Sequence, residues 1–189
     1  MQQHLHLIGI SGSLRRGSAN SAVLHSIKEA LTMHEMEIFE LNMIPLYNED
    51  EDGEVASASV CNLRRKVAAA DGVVLASPEY NYGMSGVLKN ALDWLSRPYG
   101  KSALKGKPVL NLTVSPAFTG GVRAHQQLNE TLTAIGAHTL VRPQIVIGSV
   151  QSKLSGNRLT DAATLEFALA GVEDLCREVK VRKLLLEAA

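Results

Sequence analysis

Residues 5–20 read LHLIGISGSLRRGSAN: an apolar run, a break into glycine and serine, and then the start of a helical pattern. Leu5, Leu7, Ile8 and Ile10 make a short buried strand. Beyond the break, Ala22, Val23, Ile27, Ala30 and Leu31 recur at helical spacing over residues 19–33. The same alternation continues along the chain. Strands are expected at 37–41, 72–77, 108–114 and 145–147, and helices at 57–70, 84–95, 121–135 and 161–179. The helix at 84–95 carries one apolar stripe of Val87, Leu88, Ala91, Leu92 and Leu95.

Strands that are almost wholly apolar and alternate with helices imply a parallel sheet covered on both faces. The expected fold class is therefore α/β, a flavodoxin-like three-layer sandwich with a five-stranded parallel sheet of order 2-1-3-4-5. No repeat, low-complexity linker or shift in composition divides the 189 residues, so residues 1–189 are read as a single domain. Nineteen basic side chains balance nineteen acidic ones, which argues against a strongly basic nucleic-acid binder. No apolar run approaches the roughly 18–20 residues that span a bilayer. The start, MQQHLHLIGISGS, has no cationic leader pattern, and a cytoplasmic location is expected. Cys61 and Cys176 lie far apart and read as two reduced structural thiols.

The loop after the first strand places backbone N–H groups and a helix N-terminus above the sheet edge. Ser11, Ser13, Ser18 and Asn20 add neutral donors, and Arg15 or Arg16 adds positive charge, a set suited to a phosphomonoester dianion. The glycines at 9, 12 and 17 do not match the dinucleotide GxGxxG spacing. Gly12 and Gly17 have P-loop spacing, but Ser18 stands where the lysine belongs. A plain Ser/Asn helix cap on a glycine-rich turn stays open as the alternative.

The third strand ends in Ser77-Pro78-Glu79-Tyr80-Asn81-Tyr82-Gly83-Met84. Such a loop presents main-chain groups edge-on to a planar heterocycle, with Tyr80 and Tyr82 available for packing. The alternative is a turn whose tyrosines pack at a subunit contact. Only 4% of the chain is aromatic, so two tyrosines at one strand end are worth explaining.

GSLRRGSAN (12–20) together with SPEYNYGMSGVLKNALDWLSRP (77–98) resembles the NAD(P)H-dependent FMN reductase family, in its quinone or chromate reductase branch. The likeness extends through IPLYNEDED (44–52) and GKPV (106–109) to almost the whole chain. The resemblance implies bound FMN and NADPH or NADH as electron donor. Hydride would pass through flavin N5 to a small acceptor (a quinone, chromate, azo compound or free flavin) by a ping-pong mechanism. No side chain is expected to act as a catalytic acid, base or nucleophile, and no metal is expected. It also implies a homodimer or homotetramer with flavin sites near the subunit interface.

By the same resemblance, Ser11, Ser13, Arg15, Ser18 and Asn20 hold the FMN phosphate. Pro78, Glu79, Tyr80, Asn81, Tyr82 and Gly83 hold the isoalloxazine edge, largely through main-chain atoms. Ser115, Gly120 and Gly121 form a third flavin loop. Pro116, Ala117 and Phe118 depart from that loop's small-residue pattern, and Phe118 is expected to cover part of the flavin. A non-catalytic flavin protein, either a one-electron carrier or a redox-responsive partner, is the competing class. Arg123 in the first turn of the following helix implies an anionic partner or plain exposure. His125 reads as a surface or interface residue, and residues 48–53 as a solvated acidic loop that fails the EF-hand pattern.

Overall fold

The computed structural model describes residues 4–187; residues 1–3, the beginning of the stretch read as lacking a leader, lie outside it. In chain order, β1 (His6–Ser11) leads into α1 (Ala19–Ala30), and β2 (Glu35–Phe39) into two short 3-10 turns. Next come α2 (Ala58–Ala69), β3 (Gly72–Ser77), a hairpin of β4 (Glu79–Tyr80) and β5 (Gly83–Met84), and α3 (Gly86–Leu95). The chain continues with β6 (Pro108–Val114), α4 (Val122–Ile135), β7 (His138–Thr139) and β8 (Ile145–Ile147). A second small hairpin, β9 (Leu154–Ser155) and β10 (Arg158–Leu159), precedes α5 (Ala162–Glu187).

The main sheet is wholly parallel in the order β2-β1-β3-β6-β7, with β8 also paired to β6. Counting β7 and β8 as two pieces of one strand, this is the expected 2-1-3-4-5. The interruption has a register cause. His138 pairs with Pro108 and Ile145 with Leu112, so residues 140–144 span the distance that only Leu110 and Asn111 cover on the partner strand. The surplus bulges out, and Pro143 within it lacks the N–H a ladder needs.

Strand alternation divides the core between the two faces. Leu7, Val74, Leu110 and Leu112 join α1 and α5 through Leu24, Ile27, Val172 and Leu175. On the opposite face Ile8, Ile10, Val73 and Leu75 pack against α2, α3 and α4 through Leu63, Leu88, Leu92 and Leu128. Leu75 lies in the central strand and is fully buried, so its truncation to alanine is expected to cost about 2–5 kcal/mol.

Several boundaries differ from the sequence reading. The second strand begins at Glu35, because Met36 is the residue that enters the core and Glu35 pairs with His6. Met84 belongs to a hairpin strand, and Ser85 caps α3 by accepting from the Leu88 N–H at 3.2 Å. The closing helix runs eight residues past the expected 179, to Glu187. The cysteines are unpaired as expected, but only Cys176 is structural in the sense of being buried; Cys61 is exposed. Burial pushes the Cys176 thiol up to about 11.

Candidate functional site

The carboxyl ends of β1, β3 and β6 open into a cleft of about 700 Å³. This is where an open parallel sheet reverses its winding, and ligands bind α/β folds at that crevice. The cleft is walled by Ser13, Arg15, Gly17, Ser18, Ala19 and Asn20 from the first loop. Pro78, Glu79 and Tyr80 form the second wall, and Ser115, Pro116 and Ala117 the third. Its volume falls within the range of roughly 300–1,000 Å³ typical of ligand pockets.

The first loop is built from its own side chains. Ser18 is the N-cap of α1, and its Oγ accepts from the Ser21 N–H at 3.3 Å. Ser21 Oγ in turn donates to Ser11 Oγ at 2.9 Å, and the Ser18 N–H donates to the Arg15 carbonyl at 3.0 Å. Gly12 fastens the loop to the sheet by donating to the Ala76 carbonyl at 2.7 Å. The expected helix cap is therefore present, and it leaves the helix N-terminus directed at the cleft. Asn20 is buried, and its Oδ1 has no protein partner. A buried amide oxygen without a donor in a cleft wall is suited to a ligand hydroxyl, and the amide NH2 beside it can donate to a phosphate oxygen. Arg15 is exposed at the rim. Ser11 is the exception among the expected phosphate residues. It does not line the cleft but an adjoining hollow of about 590 Å³, which shares Ser13, Arg15 and Ser18 with the cleft and adds Arg16, His25 and Asn42.

The second loop is a two-residue hairpin. Asn81 and Tyr82 both have positive φ, 50° and 67°, which is the type I′ pattern. Tyr82 is unusual there, because a bulky residue in the left-handed region costs about 1–2 kcal/mol. The Arg123 guanidinium lies over the Tyr82 ring, 4.2 Å from its centroid. Pro78, Glu79 and Tyr80 reach the cleft wall, whereas Asn81, Tyr82 and Gly83 form the hairpin tip outside it. The Glu79 carboxylate turns away towards α4. Its Oε2 accepts from the N–H groups of Arg123 at 3.0 Å and Ala124 at 3.1 Å. The Arg123 guanidinium, about half exposed, lies 3.8 Å from the other oxygen of this carboxylate.

In the third loop Ser115 lines the cleft, while Gly120 and Gly121 lie behind it. Gly121 is the left-handed N-cap of α4, with φ 90°, and supplies no side-chain cap. Gly120 sits against the backbone of Val146 and Gly148. A Cβ at Gly148 would overlap the Phe118 carbonyl oxygen, so this loop rests directly on the chain after β8. The Phe118 side chain is 89% exposed and does not line the cleft wall, next to Ala117, which does. The reading of His125 is corrected. It is 5% exposed and lies between the amides of Asn111 and Asn129, each at 3.3 Å, and burial holds its pKa below the ordinary value.

The sequence reading missed the far wall, formed by Val150, Gln151, Leu154 and Gly156. Its signal was the Gly156-Asn157 pair between Leu154 and Leu159, which marks a short hairpin.

Residues 5–152 match the family model described as NADPH-dependent FMN reductase. An NAD(P)H-dependent FMN reductase of Pseudomonas aeruginosa is 40% identical over 169 residues, covering 86% of this chain and 89% of that protein. A quinone reductase of Escherichia coli (strain K12) is 37% identical over 172 residues, covering 88% and 90%. Among solved structures, the flavoenzyme NAD(P)H:(acceptor) oxidoreductase FerB from Paracoccus denitrificans superposes with a TM-score of 0.83 at 28% identity. That match covers 93% of this chain and 97% of the other.

Proposed function

The chain belongs to the NADPH-dependent FMN reductase family, and from that premise we propose how its cleft serves an FMN-dependent oxidoreductase that uses NAD(P)H. FMN held there would supply the two-electron redox chemistry between NAD(P)H and an acceptor. Binding and orientation fall to the protein. The observation that carries this reading is the convergence of three strand-end loops on one cleft, with the unmatched Asn20 amide in its wall.

In this reading the open N-terminus of α1, with Ser13, Arg15, Ser18 and Asn20, holds the phosphate, and Ser11 stiffens the loop through Ser21. The main chain of residues 78–80 holds the ring edge, with Asn81, Tyr82 and Gly83 forming the turn that sets its course, and Tyr80 offers an aromatic face beside it. Glu79 contributes through its backbone alone, since its carboxylate is committed to α4. Ser115 closes the third side, with Gly120 and Gly121 setting the course of its loop. Fixed donors at the ring edge favour negative charge arriving there without reorganisation.

A quinone is the acceptor favoured by the names of the relatives. Chromate, azo compounds and free flavin share the need for an open ring face. Donor and acceptor using that face in turn gives a ping-pong order. Residues 1–189 are read as one FMN-binding domain in the cytoplasm, assembled as a homodimer or homotetramer. Among the described residues, no helix is long and apolar enough to cross a membrane.

The test is an anaerobic visible spectrum of the FMN-reconstituted protein before and after addition of NADPH, then of a quinone. Bleaching of the flavin bands followed by their return supports the reading. Retained flavin that neither NADPH nor NADH bleaches points to a carrier. Failure to retain FMN overturns the cleft assignment.

A further inference from the structure

Helix α4 begins without a cap of its own. A Cβ on Gly121 would stand 3.2 Å from both the Glu79 and Thr113 Cβ atoms, so the N-cap position has little room for a side chain. The first N–H groups of the helix are instead satisfied from 44 and 45 residues earlier in the chain, by Glu79 Oε2. This carboxylate is only 11% exposed, and its second oxygen lies 3.8 Å from the Arg123 guanidinium. A second tie runs in the opposite direction. Gln127, on the next turn of α4, accepts from the Met84 N–H at 2.8 Å at the other end of the hairpin. Its Oε1 would lie 2.8 Å from a Cβ placed on Gly83. Arg123 stacked over Tyr82 spans the space between them. Both ends of the second loop are thus fastened to the helix that starts where the third loop ends.

We infer that Glu79 is a positioning residue that fastens the 79–84 hairpin and the 115–121 loop into one body through the N-terminus of α4. Its carboxylate acts on whatever the two loops hold through the helix, not by touching it. The consequence for flavin binding rests on the function proposed above; the tie itself does not.

Residue-resolved amide hydrogen exchange on the apoprotein tests the tie without any flavin. In Glu79→Ala, the Arg123 and Ala124 amides are expected to exchange about 5–10-fold faster, the size of a lost helix cap. The inference requires a matching acceleration at Gly83 and Met84, across the hairpin. Acceleration confined to residues 122–125 would reduce Glu79 to a plain helix cap and overturn the coupling, as would no acceleration at all. Both bonds go to a single oxygen, so Glu79→Gln should keep exchange within about 3-fold of the wild type. Equal loss in both variants would contradict a hydrogen-bonded tie. Gln127→Ala, which cuts the other end, should accelerate Met84 and Arg123 together; acceleration of Met84 alone counts against the proposal.

On the reconstituted protein, Glu79→Ala should weaken FMN and riboflavin by the same factor, about 5–10-fold, because the tie serves the ring end and not the phosphate. Loss of FMN affinity with riboflavin unaffected would overturn this extension. If the wild type bound no flavin, the functional reading would fail while the exchange result still decided the tie.

Discussion

The loop after β1 and the two loops after β3 and β6 line one cleft but are held differently. The first is seated on the sheet by Gly12 through the Ala76 carbonyl, and its side chains are then fastened by neighbours. Ser18 caps the helix it begins, Ser21 reaches Ser11, and the Ser18 N–H meets the Arg15 carbonyl. The other two are fastened by partners more than 40 residues away, Glu79 to Arg123 and Ala124, and Gln127 to Met84. Substitutions in the first loop should therefore alter binding and little else. In the paired loops, binding and local stability should change together.

The largest effect is expected in the first loop. Arg15→Ala with Ser18→Ala would remove the two contacts proposed above for a phosphate, each worth about 1.5–3 kcal/mol when one partner is charged. FMN affinity should fall about 100-fold or more, with unfolding changed by no more than the roughly 1 kcal/mol of the Ser18 cap. Isothermal titration and thermal melts read the two quantities separately. A large fall in melting temperature would erase the contrast between the regions.

Gly148→Ala breaks the comparison from the other side. Its methyl would overlap the Phe118 carbonyl, so the third loop must shift, at about 1–3 kcal/mol of stability. FMN affinity should drop alongside, although Gly148 does not line the cleft. Unchanged affinity would show that the third loop does not need its seat.

A smaller effect concerns acid stability behind the paired loops. His125 is buried and its pKa is lowered by burial, so below the ordinary value near 6.5 the unfolded chain binds a proton that the folded chain does not. Its contribution is complete above that pH and is lost as pH falls from there towards the lower folded value. His34, lowered by burial and by Lys180, adds to the same limb. Urea melts between about pH 5 and 7.5 should show stability falling with acid, and His125→Gln should flatten part of that slope. An unaltered slope would remove His125 from the account.

The smallest effect is at the hairpin tip. Tyr82→Gly relieves about 1–2 kcal/mol of left-handed strain and forfeits about 0.5–1 kcal/mol of Arg123 stacking. Thermal melts should show no change or a gain of up to about 1 kcal/mol. A loss would mean that the Tyr82 ring is held more firmly than an exposed stacking contact explains.

The same contrast governs what was legible in the sequence. Short-range rules sufficed for the strands, for the parallel order and for the cap at Ser18, because apolar periodicity and cap chemistry act over a few residues. The split fifth strand was hidden because its cause is a register mismatch against β6, visible only once Leu110 and Asn111 face residues 140–144. Glu79 was read as a ring-edge residue, and its motif carries no sign that its carboxylate serves α4. The buried state of His125 likewise depends on Asn111 and Asn129 meeting it from β6 and α4. The wall at 150–156 was readable from its Gly-Asn turn and was overlooked.

The first loop as a phosphate site is tested most directly by comparing FMN with riboflavin, which differ by the phosphate alone. Dissociation constants of both for the wild-type apoprotein should differ by about 100-fold or more in favour of FMN, and the gap should narrow as salt is raised. Equal affinities would contradict the assignment of Ser13, Arg15, Ser18 and Asn20, and with it the reading of this cleft.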